Sequence, residues 1–397
     1  MRTLAPAGSK ARPEPSVPPI CAQWIERGLT VCERALDIVL NAPDPHALAA
    51  VGGSVQKVVA EAAILLRIIR PQHHSQPAER LAKRIAAVAI DPRTLAALAL
   101  HASASFELAV PYLVLREVHP RAAVDDLLRA AFAARAAKGR ELQPHRRLER
   151  LWLHGLLTGR PQITHADIAA TVLAHEIDLL HGTRDDHYAF THALMYATDF
   201  GRNPGAVPSL GVPRLLAQAR SALAGALDAD DYDLAGELLL AWPFLGADAG
   251  PVETAALSVL RDVADAVGTL PSLTLGLSTP HPGLDDADAV VLSTYHTSFV
   301  FTALAALVPS VAWRHPALLA GQSLAAAWPS GGRRPGWLTV PASGLPGGPL
   351  PLEASLHRAV AEHRLADVAA MLSRPGTPST PLTHQALELL ERLALLH

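Results

Sequence analysis

Cysteine is almost absent, with Cys21 and Cys32 the only two in 397 residues. Both fall in one expected helix, eleven residues apart, which is about 16 Å along its axis and too far for a mutual disulfide. A disulfide-stapled secreted scaffold is excluded, and a reduced, cytoplasmic protein is expected. Charge is scarce as well: 18% of residues are charged and the formal balance is −3. Such a chain lacks the basic footprint of a nucleic-acid binder and any polybasic run for a membrane surface, so neither partner is expected. Alternating β-branched runs and Asn-Gly or Asp-Gly hairpin signals are missing, which argues against a sheet. There is no phosphate-binding loop, no dinucleotide fingerprint and no GxSxG elbow, and no repeat of fixed period supports a regular solenoid. The N-terminal stretch MRTLAPAGSKARPEPSVPP has basic residues but no apolar core, so it reads as a disordered tail and not a secretory signal.

What is present is helical. Half of the residues are hydrophobic, enough for one large or two medium domains. Asp44-Pro45 and Asp91-Pro92 place a capping acceptor before a first-turn proline. His119-Pro120 and Gly250-Pro251 also mark starts, and Thr164 with Asp167 forms a short capping box before IAATVLAHEIDLL. These signals predict an all-α chain of about fifteen helices, an irregular α/α array or a partial α/α toroid. The expected organisation is a tail over 1–19, a main helical domain over 20–328, a Gly/Pro-rich loop over 329–352 and C-terminal helices over 353–397 that pack on the main domain. Further breaks fall at 201–213 and 270–285. Val290 to Trp313 carries no Asp, Glu, Lys or Arg and is long enough to cross a bilayer. Its His296, its hydroxyl residues and Pro309 make a centrally buried helix the expected reading.

The stretch DDHYAFTHALMYATDFG carries the most chemistry. At about 100° per residue, Asp185, Tyr188, His192, Tyr196 and Asp199 project onto one narrow helix face. Two carboxylates, two phenols and an imidazole in an otherwise apolar segment must find partners. His192 and Asp199 lie seven residues apart, about 10 Å along a helix, so a substrate, metal or water would have to stand between them. The expected catalytic groups are His192, Asp199, Tyr196, His296 and Glu237, with Tyr188, Asp185, Tyr295 and Arg150 as substrate-binding groups. His296 is the only group titrating near neutrality in its long apolar helix, and reads as a core histidine or as a partner of His192 in one pocket. Asp230, Asp233 and Glu237 share a helical face. The helix dipole accounts for the aspartates, while Glu237 lies deeper in the segment. Arg147, Arg150 and His154 share another face, suited to an anion or to a solvated edge. The bland alternative for every stripe is a set of ordinary buried hydrogen bonds.

Two resemblances bear on function. Tyr188 to Gly201, with DYDLAGELLLAW and TYHTSFVFTALAA, resembles a family of uncharacterised actinobacterial helical proteins with a domain of unknown function, over about residues 140–310. That family implies no reaction. The string Asp228-Ala-Asp-Asp resembles the acid motif of class II terpene cyclases, which would make Asp230 an alkene-protonating acid. An aromatic content of only 5% departs from their aromatic-lined pockets. The leading expectation is therefore an enzyme acting on a small molecule by acid/base chemistry in a helix-lined pocket, and the alternative is a helical interaction or regulatory protein. No spacing in the sequence specifies a metal or cofactor.

Overall fold

The computed structural model describes residues 18–42, 54–70, 75–100, 105–117, 120–136, 143–208, 211–273, 286–311 and 349–395. No β-strand occurs among them. In chain order the helices are α1 (Pro19–Asn41), α2 (Val55–Ile69), α3 (Gln76–Ala89), α4 (Pro92–Leu100), α5 (Ser105–Leu115), α6 (Ala122–Ala136), α7 (Pro144–Thr158), α8 (His165–Ala169), α9 (Arg184–Ala197), α10 (Val212–Asp228), α11 (Tyr232–Leu239), α12 (Ala241–Leu245), α13 (Pro251–Val267), α14 (Asp286–Leu307), α15 (Pro349–Ala361), α16 (Leu365–Leu372) and α17 (Pro381–Ala394). The all-α expectation holds. The tail over 1–17, Asp44-Pro45 and the Gly/Pro-rich stretch up to residue 348 lie outside the described residues.

Short polar side chains set where the helices begin. Ser54 and Ser75 each accept from the third residue onward, at the starts of α2 and α3. Thr164 with Asp167, and Thr183 with Asp186, close reciprocal capping boxes on α8 and α9, which satisfy donors the first turn leaves open. The expected long helix over IAATVLAHEIDLL does not form. α8 stops after five residues, because the Thr171 hydroxyl accepts the Leu173 N–H and turns the chain. Leu173, Ile177 and Leu179 are buried all the same.

α14 is the central post, packed against α1, α2 and α11. Among the described residues it is the helix long and apolar enough to cross a membrane, and 78% of its most apolar window is buried inside the fold. A helix that is apolar on all sides suits such a core position.

Helices α15–α17 lie against α10 and the segment after α8. Ser221 donates to Glu353 at 2.6 Å, Arg358 pairs with Asp228, and the Gln385 amide bridges Leu179 N–H and Ile177 C=O at 2.8 Å each. Glu353 is fully buried, and its Oε2 has no partner. Burial pushes this carboxyl above its ordinary 4.5, although Ser221, Thr380 and Arg220 pull the other way. A raised folded-state pKa gives stability that is complete in acid and is lost as pH rises through the folded value. Glu353→Gln is therefore expected to stabilise the neutral-pH protein by about 1 kcal/mol and to flatten the loss between acid and neutral pH. Thermal melts across that range check this, and a variant less stable than the parent at neutral pH contradicts it.

Candidate functional site

Four helices deliver ionisable side chains to one place: Glu61 from α2, His192 from α9, Asp233 and Glu237 from α11, and His296 from α14. α11 starts where Asp231 accepts the Leu234 N–H, which puts Asp233 and Glu237 one turn apart on the same face. Gly236 lets this helix come close to α14, since a Cβ there would sit 2.8 Å from Val300 Cγ1. Through that approach Glu237 Oε1 reaches within 3.7 Å of His296 Nε2 and 3.8 Å of His192 Nε2. His296 Nε2 is also 3.6 Å from Asp233 Oδ2, and its Nδ1 lies 3.1 Å from Glu61 Oε1, without the alignment of a hydrogen bond.

The carboxylates are held from behind by hydroxyls. Tyr188 donates to Asp233 Oδ2 and Thr191 to Glu237 Oε2, both at 2.5 Å. Arg184 forks onto Asp231 at 2.6 and 3.0 Å, stands 3.8 Å from Asp233, and covers the Tyr188 ring. His296 stacks on Phe299. Asp233 and Glu237 are buried, whereas the His192 side chain is 37% exposed and forms the accessible edge, with the His145 ring 6.0 Å away.

Crowding of charge sets the protonation of the group. Burial alone would raise the Glu237 carboxyl, but His192 and His296 together hold it well below its ordinary range. Burial raises Asp233, and repulsion from Glu237 adds to that against the pull of His296. Burial opposes charge on both imidazoles. Even so, Glu237 lifts His192, and Glu61 with Asp233 lifts His296 well above the usual value. Glu61 ends below its ordinary value because His296 and Lys57 outweigh its burial. The Tyr188 and Tyr295 phenols are pushed up, first by burial and then by neighbouring carboxylates. They therefore stay protonated donors.

Of the residues expected from sequence, the fold thus gathers His192, Glu237, His296, Tyr188 and Tyr295. Tyr196 lies one turn beyond His192. It lines a neighbouring cavity of about 580 Å³ together with Arg67, Arg116, Trp152, Asp199 and Asn203, while Glu149, Glu237 and Glu61 act on its hydroxyl, after burial, to push its pKa up. Asp199 does not join the stripe. α9 ends at Ala197, and Asp199, Phe200 and Gly201 then turn left-handed with φ of 49°, 54° and 81°. That turn sends the Asp199 carboxylate to Arg67 and to Trp152 Nε1. Asp185 is exposed in the first turn of α9. Arg150 is half-buried on α7, and its neighbour on that helix, Arg146, acts on Tyr196.

Within the DADD string, Asp228 binds Arg358, Asp230 accepts from the Tyr232 hydroxyl, and Asp231 caps α11. Glu61 and Thr191 are members of the site that the sequence pattern does not single out, and Asp233, expected to serve the helix dipole, stands beside His296 instead. The available signal for Glu61 was a lone acid in the apolar run VQKVVAEAAILL.

The family model described as Domain of unknown function (DUF6895) matches residues 26–307, a span that holds the whole cluster and leaves out α15–α17. No curated protein matches the chain, and no solved structure does.

Proposed function

We propose that this chain, which belongs to the DUF6895 family, is an enzyme acting on a small molecule by proton transfer at the cluster around Glu237. The observation that carries this reading is the convergence of three carboxylates and two imidazoles from four separate helices. Packing alone needs far fewer such groups, and perturbed ionisable residues concentrate at functional sites. His192 is the most exposed of the five, its side chain 37% exposed against 25% for His296, and Glu237 behind it favours the imidazolium, so His192 gives and takes the proton. Tyr188 and Tyr295 stay protonated and serve as hydrogen-bond donors to a developing charge. The cavity beside Tyr196 and Trp152, at about 580 Å³, has the size and mixed lining of a small-molecule site; none of the five clustered side chains lines it, and Tyr196, whose hydroxyl feels Glu237 and Glu61, connects it to the cluster. A small-molecule partner, not nucleic acid, fits the −3 charge, and two free, buried cysteines fit a reducing cytoplasm. An actinobacterial source fits the Ala-, Arg- and Pro-heavy composition.

A second reading, a non-catalytic interaction protein, draws on the deep burial of Asp233 and Glu237. The two separate in a turnover experiment. Purified protein is incubated with a cell metabolite extract and depletion is followed by mass spectrometry, beside His192→Ala. Loss of a general acid/base is expected to slow turnover by about 10²–10⁴-fold while circular dichroism stays unchanged. If no metabolite distinguishes the parent from the variant, the enzymatic reading fails.

A further inference from the structure

We infer that Asp233, Glu237 and His296 bind one divalent first-row transition-metal ion, of the manganese, iron or zinc kind, with a coordination position left open beside His192. From the enzymatic reading this takes only the location of the centre.

One ligand atom from each of the three residues lies within 4.8 Å of the others. The separations of 3.6 Å and 3.7 Å from His296 Nε2 to the two carboxylates are too long for hydrogen bonds. They fall where donor atoms stand around a metal. With bonds of roughly 2.0–2.2 Å, neighbouring donors lie about 3–3.5 Å apart and opposite donors about 4 Å apart. A small inward movement of each side chain completes the sphere.

The surroundings have the layout of a metal site's outer shell. A ligating histidine generally directs its second ring nitrogen at a carboxylate, and His296 Nδ1 lies 3.1 Å from Glu61 Oε1, needing a small turn of the ring to align with it. Ligating carboxylates are themselves hydrogen-bonded, as Asp233 is by Tyr188 and Glu237 by Thr191. Asp233, 6% exposed, keeps Oδ1 buried with no partner, and Glu61 Oε2 is left the same way. Buried polar atoms without partners are uncommon and call for an occupant. Two oxygens and one imidazole nitrogen, with no thiolate, select the manganese–iron–zinc range over copper(I). Three protein ligands with an open position are also the layout of catalytic, not structural, metal sites.

The test uses the full chain stripped with chelator and reconstituted separately with Mn²⁺, Zn²⁺, Co²⁺ or, anaerobically, Fe²⁺. One equivalent of metal per chain is expected by mass spectrometric metal analysis, with a rise in melting temperature and, for Co²⁺, visible absorption bands displaced by Zn²⁺. Glu237→Gln, close in shape to the parent, is expected to weaken binding at least 100-fold. The outer Glu61→Gln is expected to weaken it about 10–100-fold, and the remote surface change Asp126→Asn leaves it untouched. A folded parent that takes up no stoichiometric metal overturns the inference. So does equal uptake by Glu237→Gln and His296→Ala, which would reveal adventitious binding elsewhere. Turnover by a protein that takes up no stoichiometric metal sinks the metal and spares the enzyme, whereas stoichiometric metal without metabolite turnover does the reverse.

Discussion

Gly28→Ala is expected to destabilise the protein by about 3 kcal/mol or more, the upper range of overpacking penalties. Gly28 is the point where α1 crosses the central helix α14. A Cβ placed there would fall 1.7 Å from Thr302 Oγ1, 2.8 Å from its Cβ and 2.9 Å from its Cγ2. Rotating one group relieves nothing, because Thr302 is buried and its hydroxyl already donates to the Ser298 carbonyl at 2.6 Å. The helices would have to separate, and α14 carries His296 less than two turns away, so the change should also blur the cluster. The discriminating control is the pair Gly28→Ala with Thr302→Gly, which removes all three atoms that the new methyl would strike. Thr302→Gly alone removes packing and adds a helix-interior glycine, at about 1 kcal/mol for the glycine. If the clash is the cause, the double variant is nonetheless more stable than Gly28→Ala in urea unfolding. A double variant no better than the single one removes steric contact as the explanation.

Helix-forming local signals were readable residue by residue, which is why the all-α class and starts such as Pro92 and Pro251 emerge without coordinates. They are short-range: a proline, a capping acid and a 3.6-residue repeat each act within a few positions. The same periodicity placed Tyr188 and His192 on one face, where the fold has them. It failed at Asp199 because projecting a helix assumes that it continues, and three successive left-handed residues end it two positions earlier. It failed again after Ala169, where one threonine hydroxyl competes with the helical ladder for a backbone donor. Glu61 was hidden for a different reason. A single acid in an apolar run looks the same whether it faces solvent or a partner more than 200 residues later, and His296 is that partner. Long-range packing decides such a residue, and one sequence does not encode it in any local pattern.

Asp199 gives the second large effect, and it separates a structural role from a chemical one. The carboxylate takes a two-pronged contact from Arg67 at 3.2 and 2.7 Å and the Trp152 indole N–H at 2.6 Å. The Arg67 side chain is 12% exposed, so removing its partner leaves a largely buried cation without compensation. Asp199→Ala is expected to lose about 3 kcal/mol from these contacts, and alanine at φ of 49° adds about 1 kcal/mol of backbone strain. Asp199→Asn keeps an oxygen for Trp152 and a side chain that tolerates the left-handed turn, but gives up the charge and turns an amide donor toward Arg67 in place of Oδ2. It should lose less than Asp199→Ala. Both variants should keep the parent's metal stoichiometry, since Asp199 stands on the cavity wall and not among Asp233, Glu237 and His296. The ranking follows from the geometry: a catalytic carboxylate would lose function equally in both substitutions with little change in melting temperature. Asp199→Ala and Asp199→Asn melting alike with the parent while turnover disappears would return this residue to the chemistry.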